Sequence, residues 1–164
     1  MGKYTNSGTN TLALNPTLPT CLYPGDYKYV WGTSVASGSS PTPGQIQTPN
    51  DTNINFESPA VASRSLAVAL APRPGGGAPP GVIVQVNASG NPGAAEVDIQ
   101  DAAIDADGAY LTPTNSSYKL TSWTQNGGVW TAWAELQPES GNFVSLKLVA
   151  NPNAVNFTAK IIYV

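Results

Sequence analysis

A chain of 164 residues, 41% hydrophobic and only 10% charged, is long enough for one domain with a sizeable core, yet falls well below the ~25% charge of ordinary soluble domains. Its Lys and Arg residues (Lys3, Lys28, Arg64, Arg73, Lys119, Lys147 and Lys160) are scattered, and the net charge is −3, so nucleic acid is not an expected partner. The complete absence of histidine removes the commonest general base and metal ligand, which argues against an enzyme and against a cofactor or metal centre.

Residues 1–59 form the first unit, rich in Pro, Thr, Ser, Asn and Gly, with prolines at 16, 19, 24, 41, 43, 49 and 59. Proline removes ladder donors and fixes φ, so this stretch cannot supply a set of central strands. It is expected to be an extended arm with one short strand, in which Tyr27, Tyr29 and Trp31 alternate onto a single aromatic face. Together with Tyr23, these aromatics are candidate partner-binding residues. Cys21, the only cysteine, allows no internal disulfide and is expected to be a structural thiol.

From residue 60 to 164 the pattern changes to short β-runs separated by turn clusters. Leu66, Val68 and Leu70 are expected on one face of a first run, which ends at a Pro-Gly cluster containing Gly75, Gly76 and Gly77. Val82, Val84 and Val86 share one face of the next, opposite Ile83, Gln85 and Asn87. Ala95, Val97 and Ile99 alternate with Glu96, Asp98 and Gln100, whose outward carboxylates are expected to be a solvated face. Asn126-Gly127-Gly128 is a hairpin signal, placing Trp123, Trp130 and Trp133 on paired strands. There Trp130 shares a face with Ala132, Ala134 and Leu136, while Trp133 points the other way with Thr131 and Glu135, a fifth candidate contact residue. Val144, Leu146 and Leu148, then Val155, Phe157, Ala159, Ile161 and Tyr163, mark the last two strands. The fold class is therefore all-β: an antiparallel β-sandwich, jelly-roll or immunoglobulin-like, with an extended N-terminal arm.

No nucleophile elbow, P-loop or dinucleotide fingerprint is present. The cluster Asp98, Asp101, Asp105 and Asp107 invites a calcium or glycosidase reading, but Ala103 and Thr114 stand where an EF-hand loop needs its first ligand and its bidentate Glu. A polar turn is the expectation. Four glycosylation sequons, beginning at Asn50, Asn87, Asn115 and Asn156, report composition only, since the N-terminus lacks the apolar run of a signal peptide. No run approaches the ~18 apolar residues of a membrane span, so no membrane partner is expected.

The stretches GAAEVDIQDAAIDADGAY and FVSLKLVANPNAVNFTAKI, within residues 81–164, resemble small virion-associated proteins encoded near the capsid genes of tailed phages. The resemblance implies a non-enzymatic decoration or cement protein on the capsid exterior, made in the host cytoplasm and carried on the virion. Its partners would be the major capsid protein and further copies of itself, as a dimer or trimer. The alternative is a carbohydrate- or receptor-binding β-sandwich of a fibre or adhesin, using Trp133 and Tyr110 beside Asn- and Gln-rich loops.

Overall fold

The computed structural model describes residues 21–35, 45–47, 53–72, 81–138 and 141–164. Residues 1–20 of the expected arm, the sequon at Asn50-Asp51-Thr52 and the Gly75-Gly76-Gly77 run lie outside them.

In chain order the strands are β1 (Cys21–Leu22), β2 (Tyr27–Trp31), β3 (Thr33–Val35), β4 (Gln45–Gln47), β5 (Asn53–Asn55), β6 (Val68–Leu70) and β7 (Val82–Ala88). They continue with β8 (Glu96–Ala102), β9 (Lys119–Leu120), β10 (Thr124–Asn126), β11 (Val129–Leu136), β12 (Phe143–Ala150) and β13 (Phe157–Tyr163). Two 3₁₀ turns, Asp107–Ala109 and Ser116–Tyr118, interrupt the link between β8 and β9. The strands form two five-stranded sheets, β1-β6-β12-β8-β9 and β10-β11-β7-β13-β2, and a small sheet β3-β5-β4. Pairing is antiparallel except between β1 and β6.

The two larger sheets pack on one hydrophobic core, and period-2 alternation supplies it. Val82, Val84 and Val86 from β7, Val97 and Ile99 from β8, Val144, Leu146 and Leu148 from β12, and Phe157, Ile161 and Tyr163 from β13 are all fully buried. Tyr163 ties the layers together, its hydroxyl donating to the Ala71 carbonyl at 2.7 Å. The β10–β11 hairpin turns on Gly127 and Gly128, at φ 59° and 86°, with Asn126 opposite Val129 as the last paired strand residues. Positive φ at both central positions is what a tight primed turn demands. Trp123 lies just before β10 and tucks into the core, its Nε1 donating to the Ala95 carbonyl at 3.1 Å.

The expected division at residue 59 is not a boundary between an arm and a sandwich. β1 joins the first sheet, β2 joins the second, and the turn between them carries the chain from one layer to the other. Gly25 N–H donates to the Tyr163 carbonyl and Tyr163 N–H to the Asp26 carbonyl, fixing that turn to β13. Both N-terminal strands occupy sheet edges, where a proline-rich segment can pair on one side only. Cys21 is exposed on such an edge rather than packed as a structural thiol.

Two bulges overturn the simplest alternation. Arg64 bridges Lys147 while Val68 pairs with Val144, so the step along the first strand is one residue longer than along β12. Leu66 is consequently 76% exposed, whereas Val68 and Leu70 are buried. In the pairing of β13 with β2, Ala159 faces Trp31 but Lys160 faces Tyr29, leaving Val30 extra. Tyr27 and Tyr29 therefore point outward and Trp31 inward, where its ring lies 6.2 Å from that of Phe157.

Candidate functional site

The outer faces of the two sheets are treated differently by the chain. Over the first sheet, the segment linking β8 to β9 folds back as a roof, with Gln100 Nε2 donating to the Leu111 carbonyl at 3.2 Å. Ala67, Ala102 and Tyr110 form a second apolar cluster, with Ala109 and Phe143 packed against it. Asp98, Gln100 and Ser145, polar residues of that face, are all buried, which corrects the expectation of a solvated carboxylate at Asp98. Strand periodicity assigns a side to each residue but says nothing of what a later segment lays over that side.

The same roof gathers Asp105 and Asp107 around Arg64 and leaves Asp98 on β8 beneath it. Arg64 pairs with Asp107, lies within 3.9 Å of Asp105, and stacks its guanidinium over the Tyr110 ring at 3.9 Å from the centroid. Tyr110 donates its hydroxyl to Asp105 Oδ1 at 2.9 Å, and burial beside that carboxylate holds the phenol protonated well above its usual range. Tyr110 is thus packed beneath Arg64 rather than offered to a ligand. Among the described residues no group of three or more His, Cys, Asp or Glu side chains could hold a metal ion.

Asp98 lies on β8 two residues from Glu96, opposite Lys147 on β12 and Lys119 on β9. Lys119 reaches Glu96 instead, at 3.7 Å, and Asp98 Oδ1 has no hydrogen-bond partner. Burial pushes its carboxyl from 3.8 to about 6; the two lysines pull it down and Glu96 adds to the rise.

Among the described residues the second sheet keeps an open stretch of outer face around Tyr27 and Trp133, while Thr158 nearer its other end is buried, and cross-strand register assembles that face from four strands. Tyr29 pairs with Lys160, Lys160 with Gln85, and Gln85 with Trp133, so these side chains form one row across β2, β13, β7 and β11. The adjacent row runs Tyr27, Ile162, Ile83, Glu135. Tyr27 is 60% and Trp133 65% exposed, with Tyr29, Ile83 and Ile162 half-buried between them. At one end Tyr27 and Tyr29 meet edge to face at 6.1 Å, with Lys160 Nζ 5.6 Å above the Tyr27 ring. At the strand spacing of about 4.8 Å, Trp133 lies roughly 14 Å along the row from Tyr29.

Of the five residues predicted to make contacts, the structure brings Tyr27, Tyr29 and Trp133 onto this face. Tyr23 is exposed in the turn before β2, where its backbone N–H donates to Asp26 Oδ2 at 3.0 Å. Trp31 is core, at 3% exposure, because the β2 bulge rotates it inward. Gln85, Lys160, Ile83 and Ile162 were not singled out by the sequence reading. Outward alternation on β7 and β13 marks them individually, but only strand pairing shows that they share a face with the tyrosines and Trp133. Comparison of the chain with protein-family models, with curated proteins and with solved structures finds no match in any of the three.

Proposed function

We propose that this chain is a non-enzymatic structural protein of a tailed-phage virion that binds the exterior of the capsid and stabilises it, in contact with the major capsid protein and with other copies of itself. The observation that carries the reading is the tyrosine end of the outer face of the second sheet, where Tyr27, Tyr29, Ile83 and Ile162 stand, among the described residues, beside two charged side chains, Lys160 and Glu135. Aromatic and aliphatic groups on a flat, rigid sheet supply contact area at low conformational cost, and depletion of charge is the compositional mark of interface centres. The low overall charge and the resemblance of residues 81–164 to virion-associated proteins support the same reading. Repetition of identical contacts over a shell would multiply weak individual affinities.

On this reading the molecule works by adhesion, and its sandwich is of the jelly-roll type. Successive strands β6, β7 and β8, and again β11, β12 and β13, alternate between the sheets, which favours that form over the immunoglobulin-like one.

The test is co-sedimentation of the purified chain with shells of the encoding phage that lack it. The chain is expected to pellet at a fixed ratio to the major capsid protein, and Tyr27→Ala combined with Tyr29→Ala to move most of it into the supernatant. A parent chain that stays in the supernatant at saturating shell concentration would sink the reading.

A further inference from the structure

The far end of the open face, around Trp133, differs chemically from the tyrosine end. β10 pairs with β11 only as far as Thr124 opposite Thr131. Immediately before Thr124, Trp123 is partly buried against the core, and a notch lies between Ser122 and Thr124 on one side and Ala132 and Trp133 of β11 on the other. The notch holds about 470 Å³, and Ala132 and Trp133 are among its lining residues. Its other described lining residues are Gln85, Ser122, Thr124, Asn126 and Thr131, all polar and all uncharged. Thr131 already donates its hydroxyl to Asn87 Oδ1 at 2.8 Å, which fixes its rotamer.

From this geometry we infer that the Trp133 notch is a binding site for a neutral saccharide, distinct from the shell-docking contact at the tyrosine end. An exposed indole offers a flat apolar surface on which the C–H face of a pyranose stacks, as amphipathic aromatics do wherever one partner is apolar on one side and wet on the other. Two carboxamides and three hydroxyls beside it supply both donors and acceptors, matching the mixed donor and acceptor character of sugar hydroxyls. The volume lies within the range of small-molecule clefts, about 300–1,000 Å³.

The charge pattern selects among sugars. A sulfated or sialylated glycan needs a cation to meet its anion. Among the described residues no cation lines the notch, and Lys160, the neighbour of Gln85 in the row, is engaged over the Tyr27 ring. A peptide added as a strand along β11 would need apolar pockets for alternate side chains. Among the described residues the apolar lining of the notch is Ala132 and one indole.

The experiment uses the full chain on an array of neutral hexose and N-acetylhexosamine oligosaccharides printed beside their sulfated and sialylated counterparts, followed by titration calorimetry with the best-retained neutral oligosaccharide. Retention of neutral glycans is expected, with Trp133→Ala weakening binding roughly tenfold or more, as loss of a Trp anchor does. Gln85→Ala should weaken it severalfold and Tyr27→Ala should leave it unchanged, which separates this site from shell docking. Trp133 is exposed, so a thermal melt matching the parent's confirms that the Trp133→Ala chain is folded. Failure to retain any neutral glycan, retention that requires sulfate or sialate, equal affinity in Trp133→Ala, or capture of an extended peptide in place of sugar would each overturn the proposal.

Discussion

Ser65 and Ser145 meet in the interior of the first sheet, their hydroxyl oxygens 3.2 Å apart, and together they repair the ladder at the Arg64–Val68 bulge. Ser145 donates to the Ser65 carbonyl at 2.8 Å, and Ser65 Oγ accepts the Leu146 N–H at 3.0 Å. Ser65→Ala therefore strands a buried backbone donor. A loss of about 1–3 kcal/mol in urea unfolding is expected, against less than about 0.5 kcal/mol for the exposed Ser117→Ala. Equal stability in the two variants would mean that the hydroxyl does not serve the ladder.

Gly32 is the hinge on which β2 passes into β3. Its φ is 54°, and a Cβ there would lie 2.4 Å from the Asn55 carbonyl and 3.1 Å from that of Phe157, both backbone atoms that cannot swing aside. Its N–H donates to Glu57 Oε2 at 2.9 Å, so the backbone is also held in place. Gly32→Ala should cost more than about 1 kcal/mol and lower the melting temperature, because the residue must be both left-handed and small. Gly108, with open space around its α-carbon and no positive φ, should accept Ala with little change.

These two sites explain how far the sequence could be read. The buried faces of β7, β12 and β13 are legible because Val82, Val84 and Val86, then Val144, Leu146 and Leu148, then Phe157, Ala159 and Ile161 keep period-2 alternation along their strands. Leu66 and Trp31 were misassigned because a bulge adds one residue to one strand only, and nothing in the strand's own composition announces it. Asp98 and Gln100 were placed on the correct side of β8, but their burial depends on a roof built by residues that follow in the chain. The candidate face was half legible. Trp133 and Tyr27 read as outward-facing aromatics, whereas the row joining Tyr29 to Trp133 arises from the pairing of β2, β13, β7 and β11, which are distant in sequence.

Asp98 makes stability depend on pH. The folded state raises its carboxyl from 3.8 to about 6, through burial above all, with Glu96 adding to the rise and Lys119 and Lys147 opposing it. The folded chain then holds this proton more tightly than the unfolded chain. Its stabilising contribution is complete below about pH 4 and is lost as pH rises through about 6, amounting to at most about 3 kcal/mol. Asp98→Asn removes the buried charge while keeping the shape. It should melt higher than the parent at about pH 8 and close to it at about pH 4. A melting difference that does not vary with pH would show that Asp98 is solvated in the folded chain.

Trp31 and Trp133 offer the sharpest contrast, since the sequence reading gave both the same role. Trp31 is 3% exposed and packs on Phe157, while Trp133 is 65% exposed on the open face. Trp31→Ala should cost about 3–5 kcal/mol through the cavity it leaves. Trp133→Ala should shift stability by less than about 0.5 kcal/mol, having no core contact to lose. Fluorescence separates them again: Trp133→Phe should remove most of the emission that acrylamide quenches, because Trp31 is buried and Trp123 and Trp130 are partly buried against the core. The bulge at Val30 is the cause of the difference. If Trp31→Ala proved as mild as Trp133→Ala, β2 would have to run without that bulge, placing Trp31 beside Tyr27 and Tyr29 and extending the aromatic face along the whole edge strand.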